Sequence, residues 1–504
     1  MTSESKMNFI ESFFRILTGL IGLLFLALGL GFAAFPDLFA MAFSAQPLYI
    51  QGLNAIRGDF GGLFLGMSFF CFLGAATRRW SWLVVPILLL VLIITGRLIS
   101  FGQDGLSAAG TRSLIIETVL LIILTISAVV LAKKGGTDRK GLRITEILNF
   151  KTLISAAMVA AILTGLMLSS KKIGMALVEP FASRSIAVDR ITNLQDGLHV
   201  GLCGTCGPFA DPRRANSCEA VIAGKSLYVV DIGPGSERKM EIMKLNPGQV
   251  RAVLLTHFHS DHIGDLGELM LKRWAGGSKK LPLEVFGPTG VETVVKGFNQ
   301  AYTLDDKYRI LHHGPEVVPP SGAGGLARTF DFPAGKEEVI IIDAEGLKVT
   351  AFLVDHGPVK PAVGYRFDYK GRSVVISGDT SPSRVLSRQA KGADLLVHES
   401  LQRHMVRTLQ KVSQKSGRIN TAKVMGDIQN YHTSPEEAAQ IASEAEVRYL
   451  LLTHLLPPLP VSDLKPAFMG DAKKIFRGPI TIAEDGMFFT LPAGNKKILK
   501  SSFL

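Results

Sequence analysis

Three histidines and an aspartate fall within six residues of this 504-residue chain, in the run His257-Phe258-His259-Ser260-Asp261-His262. That is too many polar groups to bury in a core without partners. A divalent metal suits all four, because zinc takes neutral imidazole nitrogen and carboxylate oxygen as ligands. The apolar run Val250 to Leu255 precedes them and reads as a buried strand ending in the histidines. A loop at that strand end can point His257 and His259 to one side. Asp261 and His262 then open a helix over Asp265 to Trp274 and face a second metal.

The pattern His-x-His-x-Asp-His resembles the signature of the metallo-β-lactamase-fold hydrolases, and the resemblance runs from about Ile186 to the C-terminus. Val354-Asp355-His356-Gly357, followed by Gly364-Tyr365-Arg366, is similar to the third-histidine segment of the ribonuclease Z and arylsulfatase-like branch. Ser377-Gly378-Asp379-Thr380 matches the segment that supplies a bridging aspartate, and Leu452-Thr453-His454 closes the set. The resemblance implies an α/β fold, the four-layer αββα sandwich. It also implies His257, His259 and His356 on one zinc ion, Asp261, His262 and His454 on a second, and Asp379 between them. The implied cofactor is therefore two Zn2+, or another divalent metal. Two such ions can hold a hydroxide between them as nucleophile and clamp an ester oxygen, with Asp261 accepting the nucleophile's proton.

His432-Thr433 resembles the second histidine loop of ribonuclease Z and related phosphodiesterases, which implies that His432 protonates the leaving oxygen. The β-lactamases do not share that motif. The resemblance also implies that transfer-RNA processing needs a long projecting arm between the third histidine and the bridging aspartate. Here His356 and Asp379 are 23 positions apart, room for two strands and a turn. The expectation is a membrane-anchored metal-dependent hydrolase cleaving a small anionic sulfate or phosphate ester, with nucleic acid a poor partner. The alternatives are a ribonuclease Z-like endonuclease and a non-catalytic outer domain that senses a ligand, although the full ligand set argues against the second. A redox or thioester enzyme built on Cys203-Gly204-Thr205-Cys206 lacks a nearby base.

The elements that must position these groups begin near Ile186. Leu227 to Val230 reads as a strand ending in the turn Asp231-Ile232-Gly233-Pro234-Gly235, where Asp231 can orient a metal-binding histidine. Lys348 to Asp355, Val363 to Asp368, Ser373 to Ile376 and Leu395 to Val397 read as strands. The last of these ends in His398-Glu399, a pair that braces the site or simply fills the core. Phe298 to Ile342 is rich in Gly and Pro and reads as a long loop walling the site, with His312 and His313 on it. Leu401 to Gln429 reads as basic and helical. Ser434 is the expected N-cap of a helix with Pro435 in its first turn. Of four cysteines, Cys203, Cys206 and Cys218 lie at the start of this region, and one disulfide to Cys218 would leave one thiol over.

The first 170 residues have a different texture and raise the mean hydropathy of the whole chain to +0.28. Ile16–Phe35, Phe60–Thr77, Trp80–Gly96, Ser113–Ala132 and Thr152–Ser170 are apolar runs, the fourth broken only by Glu117. About 20 apolar residues cross a bilayer as a helix, so the expectation is an all-α bundle of five transmembrane helices. This divides the chain into a four-span domain with its loop (1–150), a fifth helix and linker (151–185) and the hydrolase (186–504). The four-span block resembles uncharacterised bacterial four-helix membrane domains, with Arg97 and Glu117 among its polar positions. Each of those two either snorkels to the interface or pairs with the other.

Arg78 and Arg79 follow span two, and Lys133, Lys134, Arg139, Lys140, Arg143 and Lys151 follow span four. Placing both basic loops inside leaves the catalytic domain outside, on the periplasmic face of the inner membrane. The formal charge of +12 splits into +7 for 1–185 and +5 for 186–504. The second share forms no basic block of the kind that tracks nucleic acid.

Overall fold

The computed structural model describes residues 3–43, 50–104, 108–134, 170–186 and 189–503. The chain divides into two compact units, Met1–Glu179 and Pro180–Leu504.

The first unit is helical. Among the described residues, four of its helices are long and apolar enough to cross a membrane: Met7–Ala34, Gly52–Thr77, Trp80–Phe101 and Gly110–Ala132. The expected fifth span, Thr152–Ser170, lies outside the described residues except for Ser170. There a helix begins, Ser170–Ile186, in place of the expected linker. Its Lys, Met, Ala and Leu residues favour helix. Phe25, Phe32, Phe64, Met67, Leu90 and Leu124 form the unit's own core. Helices Ser3–Ala34 and Gly62–Thr77 approach closely because Gly29 has no side chain to collide with Leu65. Leu20, Leu30, Phe69, Leu88, Leu92 and Ile115 point outward and are exposed. Arg97 and Glu117 do not snorkel separately; Arg97 Nε and Nη2 donate to the two carboxylate oxygens of Glu117 at 2.6 and 2.7 Å.

The second unit is an α/β sandwich of two sheets. The first sheet holds β1 (Gly197–Gly204), β2 (Cys218–Ala223), β3 (Ser226–Val230), β4 (Val250–Leu254), β5 (Leu283–Pro288), β6 (Gly325–Phe330), β14 (Met487–Pro492) and β15 (Leu499–Ser502), in the order β15-β14-β1-β2-β3-β4-β5-β6. The second holds β7 (Glu338–Ala344), β8 (Leu347–His356), β9 (Val359–Tyr369), β10 (Arg372–Ile376), β11 (Leu395–Leu401), β12 (Leu450–Leu456) and β13 (Ile480–Ile482), in the order β13-β12-β11-β10-β9-β8-β7. Strands bury alternate residues on opposite faces. Leu198, Val200 and Leu202 of β1 therefore meet Val349, Ala351 and Phe367 between the sheets. The intervening Cys218, Ala220 and Ile222 of β2 pack with Met240, Leu269 and Val295 from helices on the other face. The second sheet does the same on its outer side, where Val375, Leu396 and Leu452 meet Leu386, Ala438 and Phe468. Apolar residues on both faces explain why β4, β11 and β12 read as nearly continuous apolar runs.

One expected loop is largely regular structure. Phe298 to Ile342 begins inside the helix Val291–His313, and continues through β6 into β7, the edge strands of the two sheets. Its glycines lie at turns rather than through a lid; Gly314 ends the helix with φ of 79°. His312 and His313 sit in that helix's last turn, exposed. Leu401 to Gln429 is helical as expected, in two pieces, Arg403–Lys415 and Ile419–Asp427, separated at Gly417 with φ of 71°. Ser434 caps the helix Pro435–Glu444 in a reciprocal box with Glu437.

Candidate metal centre

The seven expected ligands arrive from one edge of the sandwich. His257 and His259 follow β4, and Asp261 and His262 lie in the short helix Ser260–Ile263. His356 ends β8, Asp379 follows β10, and His454 lies in β12. The strands β8, β10 and β12 run the same way in their sheet, so their C-terminal ends share an edge. His259 is exposed, and the other six are buried.

The donor atoms converge in overlapping groups, each within 4.8 Å of one another: His257, His259 and His356; His257, His262 and Asp379; Asp261, His262 and His454. His432 falls within the same distance of His356 and Asp379, and also of Glu399 and His454. Asp379 is the shared member: its Oδ2 lies 3.9 Å from His257 Nε2, 3.4 Å from His262 Nε2, 3.8 Å from His356 Nε2 and 3.3 Å from His454 Nε2. His356 Nε2 and His454 Nδ1 are buried without a hydrogen-bond partner. Buried polar atoms without partners are rare in native structures. His356 Nε2, aimed at the shared carboxylate, fits a metal ion well.

Neighbours hold the rings by their other nitrogens. His262 Nδ1 lies 2.7 Å from Asp231 Oδ2, and Asp231 also accepts from Thr256 N and Oγ1 at 2.8 and 2.7 Å. His356 Nδ1 lies 3.2 Å from the carbonyl of Tyr431. His432 Nδ1 lies 3.0 Å from Glu399 Oε1, which also accepts from the backbone amides of Thr380 and Thr433, each at 3.1 Å. Such contacts fix ring orientation and tautomer. Glu399 thus braces the site, while His398 turns its Nδ1 to the Glu399 carbonyl, 2.8 Å away. Two backbone positions are strained to aim these groups: Asp231 and His454 take left-handed φ values of 53° and 46°. Gly233 lacks a side chain where a Cβ would strike the Asp261 carbonyl.

The electrostatics favour positive charge at the centre. Burial opposes charge on His262, yet Asp379, Asp231 and Asp261 hold its pKa well above the imidazole range. Burial likewise opposes charge on His454, which Asp379 and Asp261 raise to about 9. Despite burial, Asp379 lies well below the carboxylate range beside His454 and His262, and Asp261 falls to about 2 beside the same two rings. Burial and then His262 drive His257 well below the imidazole range. Carboxylates that hold protons on two rings would hold a divalent cation there by the same attraction.

Sequence reasoning missed Glu219, fully buried in β2, with Oε1 3.4 Å from Thr453 Oγ1, next to His454. Burial and the nearby Asp231 raise its pKa to about 8. The signal was present, since Cys218-Glu219-Ala220-Val221 sets a carboxylate in an apolar strand. The disulfide joins Cys203 to Cys218, leaving Cys206 buried and free.

The family model described as the metallo-beta-lactamase superfamily matches residues 212–454, a span that contains every residue of the candidate site. Ribonuclease Z of Mycolicibacterium gilvum is 35% identical over 267 residues, covering 52% of this chain and 85% of that protein. The chain belongs to the metallo-beta-lactamase superfamily. It is a metal-dependent hydrolase acting on ester bonds. Ribonuclease Z of Mycobacterium avium is 33% identical over 290 residues, 57% of this chain and 96% of that protein. Among solved structures, the superfamily protein YhfI of Bacillus subtilis covers 58% of this chain and 99% of that chain, at 23% identity and a TM-score of 0.42. Both curated relatives carry a ribonuclease name and neither a sulfatase name. This favours the ribonuclease Z-like alternative over the sulfate ester reading, and it runs against the expectation that nucleic acid is a poor partner.

Proposed function

We propose that the second unit is a ribonuclease Z-type phosphodiesterase whose substrate is an RNA phosphodiester. In this reading His257, His259 and His356 would hold one divalent ion, Asp261, His262 and His454 would hold a second, and Asp379 would serve both. Zinc is the metal that suits this nitrogen-rich set. When bound, the ions would supply an acidified water and neutralise charge developing on the phosphoryl oxygens.

The observation that carries the phosphodiester reading is His432. Its ring lies 5.1 Å from that of His356 and 5.6 Å from that of His454, beside the ligand set, while its Nδ1 faces Glu399. Glu399 holds the ring by Nδ1, which leaves Nε2 for the leaving oxygen. A ribose oxygen is a poor leaving group and gains most from such a donor. Asp261, buried within the set beside His454, would take up the proton of the attacking water.

A second reading rests on two observations. The residues between His356 and Asp379 form only the β9–β10 hairpin, with no projecting arm, and the Cys203–Cys218 disulfide belongs to an oxidising compartment. Together with the basic residues after span four, they favour a small diester cleaved outside the cytoplasm by a bilayer-tethered enzyme.

One assay separates the readings. Full-length protein in detergent is given a single-stranded RNA, bis-p-nitrophenyl phosphate and p-nitrophenyl sulfate, each with and without chelator. The RNA reading expects chelator-sensitive cleavage of RNA. Turnover of the small diester with intact RNA selects the second reading, and turnover of the sulfate alone overturns both.

A further inference from the structure

The end of the first sheet opposite the histidines carries a different constellation. The parallel strands β4, β5 and β6 start there, and their first residues line a cavity of about 380 Å3 together with the end of the helix Leu266–Gly277. Its cations are Arg251, Arg273, Lys279 and Arg328, and its one carboxylate is Glu284. Two of the cations are neutralised: Arg328 pairs with Glu284 at 2.6 Å and Arg251 with Glu345 at 2.7 Å. Arg273 is not. It is only 9% exposed, its Nε and Nη1 donate to the carbonyls of Val250 and Leu281 at 2.8 and 2.9 Å, and no carboxylate pairs with it among the described residues. Lys279, half-buried beside it, makes no ion pair among the described residues.

A buried guanidinium held by carbonyl dipoles, with the cavity's carboxylate Glu284 already paired to Arg328, keeps a demand for an anion. Its remaining Nη2 and the Lys279 ammonium offer two charged donors in one cavity, a combination suited to phosphate. The mouth is apolar, with Leu281 74% and Leu326 43% exposed. The adjoining surface continues the pattern. Ser321 Oγ donates to the Lys280 carbonyl at 2.9 Å, and Trp274 Nε1 to that of Pro319 at 2.7 Å. The helix end that leads into this turn exposes Leu311 (81%) beside His312 and His313. A buried guanidinium and a half-buried ammonium beside two exposed leucines match a phosphate that carries acyl chains, because the leucines then meet the hydrocarbon boundary. No aromatic ring lines the cavity to stack a nucleobase. The same chain also carries four helices long and apolar enough to cross a bilayer.

We propose that this cavity binds the phosphate of an anionic phospholipid headgroup and seats the catalytic unit on a membrane surface. The site is separate from the metal centre and owes nothing to the substrate assigned above.

The test uses the full-length protein in detergent, titrated with dioctanoyl phosphatidylglycerol, dioctanoyl phosphatidylcholine, inorganic phosphate or a 5′-phosphorylated single-stranded RNA. Hydrogen exchange of the segments 249–254, 271–284 and 324–328 is the readout. Phosphatidylglycerol is expected to slow exchange there saturably, and phosphatidylcholine is not. Lys279→Gln should weaken that protection about fivefold, while turnover of a soluble ester stays unchanged. Arg273→Gln should remove it, but Arg273 also ties the helix to β4, so the Lys279 variant is the deciding one. Equal protection by both lipids, or no effect of that variant, overturns the proposal. Protection by inorganic phosphate at the same concentration would make the ligand free phosphate, and protection by RNA alone would make this a nucleic-acid site; either overturns the lipid assignment.

Discussion

The two units satisfy their polar side chains by different routes. In the helical unit, Thr18, Thr118 and Ser127 each donate to the carbonyl four residues earlier on their own helix. The charged Arg97 and Glu117 satisfy one another as a closed pair. In the catalytic unit the buried histidines and aspartates sit at strand ends and converge on one point. The difference is physical. A helix offers a nearby carbonyl to a short hydroxyl side chain, whereas the carbonyls of a strand are taken by its neighbours in the sheet. Polar side chains at strand ends must find partners across the fold, and a shared cation is the partner that satisfies most of them at once.

If the catalytic unit works by convergence, removing the shared member should have the largest effect in the molecule. Asp379→Ala is expected to abolish measurable turnover and to reduce bound metal from about two equivalents per chain to fewer than one, read by elemental analysis. Retention of both equivalents would show that Asp379 does not bridge. His432→Ala comes next: turnover should fall about 10²–10⁴-fold for esters with alkyl leaving groups. The loss should shrink for nitrophenolate, which leaves without a proton, and metal content should hold. An equal loss across leaving groups would make His432 structural.

Asp231→Asn should be milder, because it weakens the brace on His262 without removing a ligand. Metal affinity is expected to drop about 10–100-fold, measured by chelator competition, with kcat restored at saturating metal. Smallest is the helical unit's closed pair. A double-mutant cycle of Arg97→Ala and Glu117→Ala should give a coupling of about 1–2 kcal/mol in detergent unfolding, and turnover of a soluble ester should not change. Loss of turnover on breaking that pair would mean that the two units are not independent in function.

The ligand types were legible because chemistry is local: His-x-His-x-Asp-His, Asp379 and His454 each end an apolar run, and apolar runs mark buried strands. The helix at Pro435 was legible for the same reason, since Ser434 and Glu437 cap it within four residues. Phe298 to Ile342 was misread because glycine and proline mark turns without saying how long the elements between them are. The helix Val291–His313 buries only Val291 and Val295 among its residues, so its periodicity is weak. The position of Glu219 beneath His454 could not be read at all, being set by β2 and β12 across 234 residues.

The sequence by itself determined which side chains could bind metal, which stretches were apolar enough to cross a bilayer, and that the two lie in separate halves of the chain. Only the tertiary structure decided which groups meet. It turned Asp231 onto His262 and Glu399 onto His432, joined Cys203 rather than Cys206 to Cys218, and left Arg273 buried with no ion pair among the described residues. Those outcomes depend on strand order and on the stacking of two sheets, where residues tens to hundreds of positions apart come within a hydrogen bond of each other. No local pattern encodes such distances, because they arise from how the apolar faces of all the strands are buried together.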